Sequence, residues 1–435
     1  MTYKLGLLGL GTVGTGVVQI CQDPYQRLGL LSELELYRVG VRSLRKPRGV
    51  HLPAQVLTSD LEAIVRDPQV DIVVEVMGGI EPARTLLLSA IAQGKHVVTA
   101  NKALIARHGE ELFSAAHRQG VYVLLEGAVG GGIPIVQPLR QCLVANRIQG
   151  IQGIVNGTTN FILSRMTQEQ ASFAAMLALA QQQGYAEADP SADIDGQDAA
   201  DKIAILASLA FGCRVDREQV YCEGIRGVTA TDIRYAQDWG LVIKLLAIAQ
   251  RQGEAIDIRV HPTLIPTHHP LAAVSDVDNA VVIFGDPVGR VMLSGPGAGR
   301  GPTASAVMGD VLMIAAHLKS EKTRLNPLLD SPLMEPMPLL PLEQVKARYY
   351  LRVIAQDRPG VIGAIGTCFG EHQVSLECIV QKTLYPAPEA GSPDQAEIVI
   401  LTHTVCEKEL QAAVASLRQQ PVIVQVPSLF RVLPD

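Results

Sequence analysis

The sequence has no excess of positive charge, no cysteines at metal-binding spacing and no long apolar run. Its 435 residues include 37 Lys and Arg against 43 Asp and Glu, which gives a formal net charge of -6. A chain with this charge offers no basic surface to nucleic acid or to an anionic membrane. We therefore expect neither nucleic acid nor a membrane among its partners.

The seven cysteines are scattered and never follow the CxxC spacing, which argues against a disulfide framework and against a zinc site. The first residues, MTYKLGLLGLGTVG, reach glycine too early for a signal peptide. No run of about 18 apolar residues follows. These features favour the reducing cytoplasm, with neither export nor membrane insertion expected.

Short apolar runs recur through the first part of the chain, with helical patterns between the later ones. The runs at 4–8, 34–41, 70–76, 95–100 and 121–127 predict buried strands, whereas 81–94 and 103–120 have a helical period and end at glycine. This alternation predicts an α/β fold in which residues 1–129 form a doubly wound parallel sheet of the Rossmann type.

The remaining chain predicts a central α+β domain, a linker and a small C-terminal domain. Within residues 130–320, the segments 172–184 and 238–253 have helical patterns, 151–157 and 279–285 are strand-like, and the last helix could return to the first domain. Residues 321–346 are rich in proline and have no clear period, which predicts a linker. Residues 347–435 have the order strand, helix, two strands, helix, strand, which predicts a ferredoxin-like module.

Three glycines follow the first predicted strand directly. Gly9, Gly11 and Gly14 form a GxGxxG pattern at the start of a helix, where a pyrophosphate can approach the helix N-terminus. After a strand and before a helix, the pattern indicates dinucleotide binding. The alternative is that these glycines only permit close packing of the helix.

The end of the second predicted strand bears on the choice of cofactor. It carries no Asp or Glu for a ribose hydroxyl, and it is followed by Arg42, Arg45, Lys46 and Arg48. Basic side chains in this place favour NADP over NAD, with Arg42 nearest the strand end. The alternative is a solvated basic turn.

Three further segments could contribute to a site. Lys102 lies just past the end of a strand, at the edge where open parallel sheets bind ligands, although it could also be an exposed lysine that starts a helix. Glu126 is followed by the glycine-rich segment 127–135, which could aim backbone groups at an ion or could be a hinge. Residues 156–163, NGTTNFIL, are typical of a helix cap.

Six carboxylates fall within the nineteen residues 184–202, which end in Lys202. A helix is predicted over 197–211, with Asp195 and Asp198 spaced as in a capping box and with Asp198 four residues before Lys202 on one face. Because this helix is apolar nearly all round, its start is expected inside the protein, where an amine needs a partner. The alternative is acidic capping with one surface ion pair.

This segment resembles the signature of the homoserine dehydrogenase family at Ala180, Gly184, Tyr185, Ala186, Asp189, Pro190, Asp193, Ile194, Gly196, Asp198 and Lys202. The motifs GLGTVG, VRSLRKP, TANKALIA, EGAVGGGIP, NGTTNFIL and GPGAGRGPTASAV also resemble that family's motifs, in its order. The resemblance covers residues 1–320, and the last domain is similar to an ACT module. With no kinase-sized segment before the Rossmann strand, the chain resembles the monofunctional form.

The resemblance implies reversible hydride transfer between L-homoserine and L-aspartate 4-semialdehyde with NAD(P), in the pathway to threonine and methionine. Reduction of an aldehyde leaves an alkoxide, which needs a proton donor. Lys202 would be this acid/base, and Lys102 would be its partner on the cofactor side. The substrate would be bound by Glu187 and Asp198, which match positions that bind the ammonium group, with Tyr185, Gly157 and Thr158 nearby. Asp193, Asp195 and Asp201 are left to shape the loop and cap the helix.

The resemblance also implies other ligands. The cofactor would contact Gly9, Leu10, Gly11, Thr12, Val13, Gly14, Arg42, Lys102, Gly184 and Gly299. A monovalent cation, Na⁺ or K⁺, would lie at Glu126, Val129, Gly131 and Ile133, partly through backbone carbonyls. The ACT module could bind an amino-acid effector such as threonine, although it carries a proline-rich insertion at 384–395. A homodimer or homotetramer is expected.

Two other functions account for parts of the chain. An amino-acid-responsive NADP-binding regulator would keep the fold, but it would have no need of both lysines and both carboxylates. A related dehydrogenase acting on aspartate or another semialdehyde would share the Rossmann half and would leave 184–202 unexplained. The sequence therefore predicts a homoserine dehydrogenase.

Overall fold

The computed structural model describes residues 2–23, 29–320, 324–330, 335–385 and 394–434. Its strands are β1 (Tyr3–Leu8), β2 (Leu34–Gly40), β3 (Leu57–Thr58), β4 (Ile72–Glu75), β5 (His96–Thr99), β6 (Val123–Leu124), β7 (Arg147–Ile154), β8 (Tyr221–Cys222), β9 (Leu241–Gln252), β10 (Ala255–Pro266), β11 (Asp278–Asp286), β12 (Gly289–Pro296), β13 (Lys346–Gln356), β14 (Leu376–Tyr385), β15 (Gln395–Thr402), β16 (Val405–Cys406) and β17 (Ile423–Val432). Its helices are α1 (Thr12–Gln22), α2 (Leu61–Arg66), α3 (Ala83–Ala92), α4 (Lys102–Gln119), α5 (Gly157–Glu169), α6 (Phe173–Gln182), α7 (Ser191–Ile194), α8 (Gln197–Phe211), α9 (Ala230–Asp238), α10 (Arg300–Lys319), α11 (Val361–Glu371) and α12 (Glu407–Arg418). They fall into two compact units, residues 1–157, 198–220 and 278–337, and residues 158–197, 221–277 and 338–435.

The first unit is built on a parallel sheet in the order β3-β2-β1-β4-β5-β6. The strand order reverses between β1 and β4, and the carboxyl ends of strands at such a switch point form the ligand crevice of open α/β sheets. All four residues of β4 and of β5 are buried, as expected for strands covered on both faces. The predicted Rossmann sheet is confirmed.

Helix α10 completes the core of this sheet. Val307 and Val311 pack with Leu5 in one apolar cluster. A Cβ built at Gly16 would lie 2.6 Å from the carbonyl oxygen of Arg300, so α1 can approach α10 only because Gly16 has no side chain. In the same unit, β11 pairs antiparallel with both β7 and β12.

The second unit contradicts the helix predicted over 238–253. Helix α9 ends at Asp238, and the following residues form β9, which pairs with β10 in register from Leu241 opposite Pro266 to Gln252 opposite Ala255. Residues 243–249 are all buried. A segment buried on every side is apolar throughout, whether it is a strand or a helix, so its hydrophobic pattern could not separate the two.

The C-terminal part of the second unit has the predicted ferredoxin-like topology. Its sheet order is β17-β13-β15-β14, with α11 and α12 sharing a core that includes Tyr349, Ile365 and Leu410. Strand β17 also pairs in parallel with β10, at Thr263 with Arg431. The sheet of this module therefore continues into the β9–β10 hairpin. Most of the insertion at 384–395 lies outside the described residues.

Across the described ranges, the structure contains no helix with the length and apolar character needed to cross a membrane. All seven cysteines are free thiols. In the same ranges, no group of three or more His, Cys, Asp or Glu side chains could hold a metal ion.

Candidate active site

Lys102 is placed at the carboxyl end of β5 by the residue that caps its helix. The Asn101 Oδ1 atom accepts a hydrogen bond from the backbone N–H of Leu104 at 3.2 Å, so Asn101 is the N-cap of α4 and Lys102 is its first residue. Asn101 Nδ2 donates to the carbonyl of Gly79 at 2.6 Å, on the loop after β4. These bonds fix the helix start at the sheet edge, where the Lys102 side chain is 38% exposed.

The start of α8 brings a carboxylate and a second lysine to Lys102. Lys202 Nζ lies 2.7 Å from Asp198 Oδ2, and Lys102 Nζ lies 3.0 Å from Asp198 Oδ1. Lys202 also donates to the carbonyl of Val155 at 2.6 Å, and Asn156 Nδ2 donates to Asp198 Oδ2 at 2.9 Å. The two predicted lysines are therefore joined through one carboxylate.

Asp198 and Lys202 of this lysine–aspartate cluster are buried, and the cluster carries more positive than negative charge. The side chains of Asp198 and Lys202 are each 10% exposed. Burial alone would raise the pKa of Asp198, but the charges of Lys202 and Lys102 outweigh burial and hold that pKa well below its usual range. Two ammonium groups around one carboxylate leave one positive charge, which suits a site where a reacting oxygen becomes negative.

Two carboxylates predicted to cap α8 or shape its loop have other partners. The Asp195 carboxylate pairs with Arg226, whose NH2 group donates to Oδ2 at 2.9 Å, so Arg226 occupies the carboxylate that was predicted to bind helix amides. Asp201 Oδ1 accepts from Arg217 Nε at 2.6 Å and from Arg107 NH1 at 3.0 Å. The capping predictions for both residues are wrong. Sequence patterns missed the true partners because each arginine lies at least 16 residues away in sequence.

The GxGxxG segment forms a turn that requires glycine at Gly9 and Gly14. Gly9 has a φ of 105°, and a Cβ built at Gly14 would lie 2.2 Å from the carbonyl oxygen of Gly9. Gly11 caps α1 without a side-chain hydrogen bond, which leaves the helix N-terminus able to bind a pyrophosphate. In the same unit, Gly299 caps α10. Three other predicted cofactor positions are close in sequence. Leu10 lies in this turn, and Thr12 and Val13 are the first two residues of α1.

The basic turn after β2 is held together by one of its own arginines. Arg48 NH1 donates to the carbonyl of Lys46 at 2.8 Å, and NH2 donates to the carbonyl of Ser43. Arg42 and Arg45 are exposed, and neither has an ion pair within the described ranges. Both guanidinium groups are therefore free to bind an anionic ligand.

The other predicted substrate residues lie in or next to the second unit. Thr158 Oγ1 donates to the carbonyl of Tyr185 at 2.7 Å, and the Tyr185 side chain is 44% exposed. Gly184 has a φ of 77°, so the turn before Tyr185 favours glycine. Glu187 is exposed. Gly157 is the first residue of α5 and directly precedes Thr158.

Glu126 follows β6, and backbone amides surround its carboxylate. The two oxygens accept from the N–H groups of Ile135 at 2.6 Å, Val136 at 2.9 Å and Gln137 at 2.7 Å. The carboxylate of Asp310 accepts from the N–H of Glu126 at 2.8 Å. Burial raises the pKa of Glu126, and burial together with the nearby Glu126 raises the pKa of Asp310 to about 7. Two carboxyl groups thus lie close together in the interior.

The glycine turn after Glu126 provides the remaining predicted cation positions. Gly130 and Gly131 have φ values of 76° and 56°, and the N–H of Ile133 donates to the carbonyl of Gly130 at 2.9 Å. Val129 lies in the same buried turn. Because three amides occupy the Glu126 carboxylate, a cation here would be bound directly by backbone carbonyls, and the two carboxyl groups would supply negative charge.

Two residues around the site were missed from sequence. Asn156 lies in a segment predicted only as a helix cap, yet its amide bonds to Asp198. Glu75, fully buried at the end of β4, accepts from the N–H of Met77 at 2.8 Å and from Thr99 Oγ1 at 2.6 Å. Glu75 is one of two carboxylates, with Asp71, in the mostly apolar run at 70–76, and this was the available signal for it.

Comparison with known proteins identifies the family. Residues 134–312 match the family model described as homoserine dehydrogenase, residues 9–126 match the model of its NAD binding domain, and residues 349–422 match the ACT domain. The chain is 58% identical over 440 residues to the homoserine dehydrogenase of Synechocystis sp., with 100% of both chains covered. This chain belongs to the homoserine dehydrogenase family.

Solved homoserine dehydrogenases have the same fold. The enzyme from Thiobacillus denitrificans is 42% identical, with a TM-score of 0.92 that covers 100% of this chain and 98% of the other. A hyperthermophilic archaeal homoserine dehydrogenase, solved in complex with NADPH, is 30% identical, with a TM-score of 0.62 over 73% of this chain and 98% of the other. The chain is therefore an oxidoreductase of this family with an NAD(P)-binding domain and an ACT domain.

Proposed function

We propose that this homoserine dehydrogenase interconverts L-homoserine and L-aspartate 4-semialdehyde with NAD(P), in the route to threonine and methionine. The observation that carries this proposal is the Asp198 carboxylate, which bonds Lys202 at 2.7 Å and Lys102 at 3.0 Å in the unit that contains the Rossmann sheet. The nicotinamide, when bound, supplies or accepts the hydride. The residues of the chain supply the proton and the charges that orient the substrate.

Lys202 is the proposed proton donor and acceptor. When the aldehyde is reduced, its oxygen becomes negative and takes a proton from Lys202 Nζ, and in the reverse direction the neutral amine accepts the hydroxyl proton. An ammonium group has three N–H donors. Two of them bond Asp198 Oδ2 and the carbonyl of Val155, which fixes Nζ and leaves one N–H for the substrate oxygen.

Lys102 and Asp198 are the other two members of the cluster, and both support this chemistry. Lys102 is proposed to lie on the cofactor side of the substrate, and Asp198 keeps the two ammonium groups in place. Glu187 and Asp198 are the proposed ligands of the substrate ammonium, with Tyr185, Gly157 and Thr158 nearby, because carboxylates complement that charge. Since both Asp198 oxygens already bond lysines, Glu187 is the carboxylate with more capacity for the substrate.

NADP is the proposed preferred cofactor, bound at Gly9 to Gly14, Arg42, Lys102, Gly184 and Gly299. The support is the end of β2, where no carboxylate is present for a ribose hydroxyl and where exposed Arg42 can pair with a 2'-phosphate. The related archaeal enzyme was solved with NADPH. NAD would lack the phosphate that Arg42 contacts.

A monovalent cation, Na⁺ or K⁺, is proposed at Glu126, Val129, Gly131 and Ile133. The buried carboxyl groups of Glu126 and Asp310 favour a positive charge nearby, and the glycine turn supplies carbonyl oxygens. The cation would have a structural role, because it would hold the turn closed against the Glu126 carboxylate.

An amino-acid effector, threonine first among them, is proposed at the ACT module, which matches residues 349–422. A homodimer or homotetramer and a cytoplasmic location are also proposed. The location is supported by the seven free thiols, which suit a reducing compartment.

The test is the initial rate of homoserine oxidation with NADP and with NAD, measured with and without threonine and in Na⁺, K⁺ or a bulky organic cation. We expect homoserine-dependent reduction of NADP at a higher kcat/KM than of NAD. A purified enzyme that reduces neither cofactor with homoserine, and oxidises neither with aspartate semialdehyde, would contradict the proposed reaction. A lack of response to threonine or to the alkali cations would remove only that part of the proposal.

A further inference from the structure

Asn279, on β11, is a buried asparagine whose side-chain amide makes no hydrogen bonds. The residue is 1% exposed, and neither Nδ2 nor Oδ1 has a hydrogen-bond partner within the described part of the chain. Both atoms are closed off from solvent, so no water reaches them in this conformation. Buried amides are almost always hydrogen-bonded, because an unsatisfied donor or acceptor keeps its full desolvation penalty.

The amide of Asn279 packs directly on the glycine loop that joins β12 to α10, defined here as Gly297–Gly299. A Cβ built at Gly297 would lie 2.0 Å from Asn279 Nδ2 and 2.1 Å from its Cγ, so no side chain fits at Gly297 in this conformation. Gly297 also contacts the turn after Glu126, because a Cβ at Gly131 would lie 2.5 Å from the Gly297 carbonyl. The glycine loop therefore packs against both Asn279 and Gly131.

The same loop leads to an uncapped helix. Gly299 has a φ of 117° and is the N-cap of α10, with no side-chain hydrogen bond to the first-turn amides. The first turn of α10 contacts α1, since a Cβ at Gly16 would lie 2.6 Å from the carbonyl oxygen of Arg300. Helix α1 begins at the GxGxxG turn. The glycine loop and the proposed cofactor site thus belong to one packed region of the first unit.

Only a movement of the surrounding chain can give the Asn279 amide its hydrogen bonds. The backbone of Asn279 is held in β11, where Asn279 pairs with Gly295 of β12 and the next residue, Ala280, pairs with Ile154 of β7. After the end of β12, the loop has glycine at Gly297 and Gly299, and peptide groups next to glycine rotate with less steric hindrance than those next to other residues. The loop packs against the amide at Gly297.

We propose that Asn279 is a positioning residue for the nicotinamide cofactor. With the cofactor bound, the glycine loop moves off the amide by a small shift, and Asn279 Nδ2 and Oδ1 bond peptide groups of the loop and so fix the start of α10 against the cofactor. The ligand class is a nicotinamide dinucleotide, and the two hydrogen bonds exist only in the bound state. This inference rests on the proposed role of Gly299 at the cofactor.

The first experiment replaces Asn279 with leucine, which is similar in size and needs no hydrogen bonds. We expect the Tm of free Asn279→Leu protein to equal or exceed that of the wild type, because the variant has lost an unsatisfied buried amide. We expect its Kd for NADPH, from fluorescence titration, to rise about 10-fold, the equivalent of two lost hydrogen bonds. The matched control is Asn146→Leu, whose amide oxygen accepts from the N–H of Val288 at 3.0 Å and whose Nδ2 bonds the carbonyl of Leu143. This control should lower the Tm and leave the Kd for NADPH unchanged.

A second variant, Gly297→Ala, tests the movement and does not depend on the folding of the first. The added methyl group would clash with Asn279 in the conformation without cofactor, so cofactor-free Gly297→Ala protein should have a lower Tm than the wild type. NADPH should restore part of this loss, which makes the NADPH-induced rise in Tm larger than in the wild type. An equal loss of Tm with and without NADPH, or an Asn279→Leu variant with lowered Tm and normal NADPH binding, would overturn the inference. If wild-type protein itself does not bind NADPH, the proposed function fails instead.

Discussion

Lys202 Nζ and Asp198 Oδ2 lie 2.7 Å apart on successive turns of one helix, and the second oxygen of the same carboxylate lies 3.0 Å from Lys102 Nζ. The lysine of α8 and the lysine that starts α4 are thus oriented by a single buried group. Any change that moves Asp198 disturbs both ammonium groups together. The first two predictions separate the proton donor from the group that holds it in place.

Replacement of Lys202 by alanine should abolish turnover while NADPH still binds. Loss of a proton donor lowers kcat by roughly 100-fold to 10,000-fold. Steady-state rates in both directions measure kcat, and fluorescence titration measures the Kd for NADPH. Lys202→Arg is the matched control, because arginine keeps the positive charge beside Asp198 but does not release its proton near neutral pH. The arginine variant should be about as slow as the alanine variant. Full activity in either one would exclude Lys202 as the proton donor.

Two aspartates on α8 provide a matched pair, Asp198→Asn and Asp201→Asn. Asp198→Asn removes the charge between two lysines, and misplacement of catalytic groups lowers kcat by about 100-fold. Asp201 bonds Arg217 and Arg107, and its loss leaves the buried Arg217 without its carboxylate, which costs roughly 3–5 kcal/mol of unfolding free energy.

The measurements for this pair are kcat, corrected for the folded fraction, and the urea midpoint. Asp201→Asn should have a lower midpoint but a kcat within a few-fold of wild type, and Asp198→Asn should have the larger loss in kcat. The reverse order of the two kcat values would remove Asp198 from the active cluster.

Arg42→Ala should weaken the binding of NADP far more than the binding of NAD. A charged hydrogen bond to the 2'-phosphate is worth about 10-fold to 100-fold in affinity, and NAD has no such phosphate. The KM values for both cofactors measure the effect. Arg45→Ala is the control, since Arg45 is exposed in the same turn but lies further from the end of β2. Equal losses for NADP and NAD in Arg42→Ala would mean that Arg42 does not contact the phosphate.

Local sequence patterns predicted the elements that position the site. The bounds of α8, from Gln197 to Phe211, agree with its predicted span, and the four-residue spacing of Asp198 and Lys202 became a real contact. Such pairs are predictable because the helix itself fixes their separation. The GxGxxG turn is a similar case, since the steric demand for glycine is local.

Contacts between distant segments were not predictable in the same way. Asp201 bonds Arg217 and Arg107, and Asn156 bonds Asp198. These contacts form because distant segments pack together, and no spacing within a helix or strand predicts them. Strand β9 was mistaken for a helix because burial on both faces removes the alternation that marks a strand. In each case the tertiary structure determined the contact or the element type, which the local sequence did not determine.

The stability of the first unit should fall in mild acid because of His96. Burial, and then the nearby His317, lower the pKa of His96 from 6.5 to about 4. Its Nδ1 accepts from the N–H of Tyr122 at 3.0 Å, which requires the neutral ring. Between pH 6.5 and 4 the unfolded chain binds a proton that the folded chain does not, so this contribution is complete above pH 6.5 and is lost as the pH falls towards 4. The full pKa shift corresponds to roughly 3 kcal/mol of unfolding free energy.

Urea unfolding of the wild type and of His96→Asn from pH 4.5 to 7.5 measures this contribution. The wild type should be more stable than the variant by a margin that shrinks as the pH falls. A margin that is the same at both ends of this range would show that His96 is not buried in the neutral form.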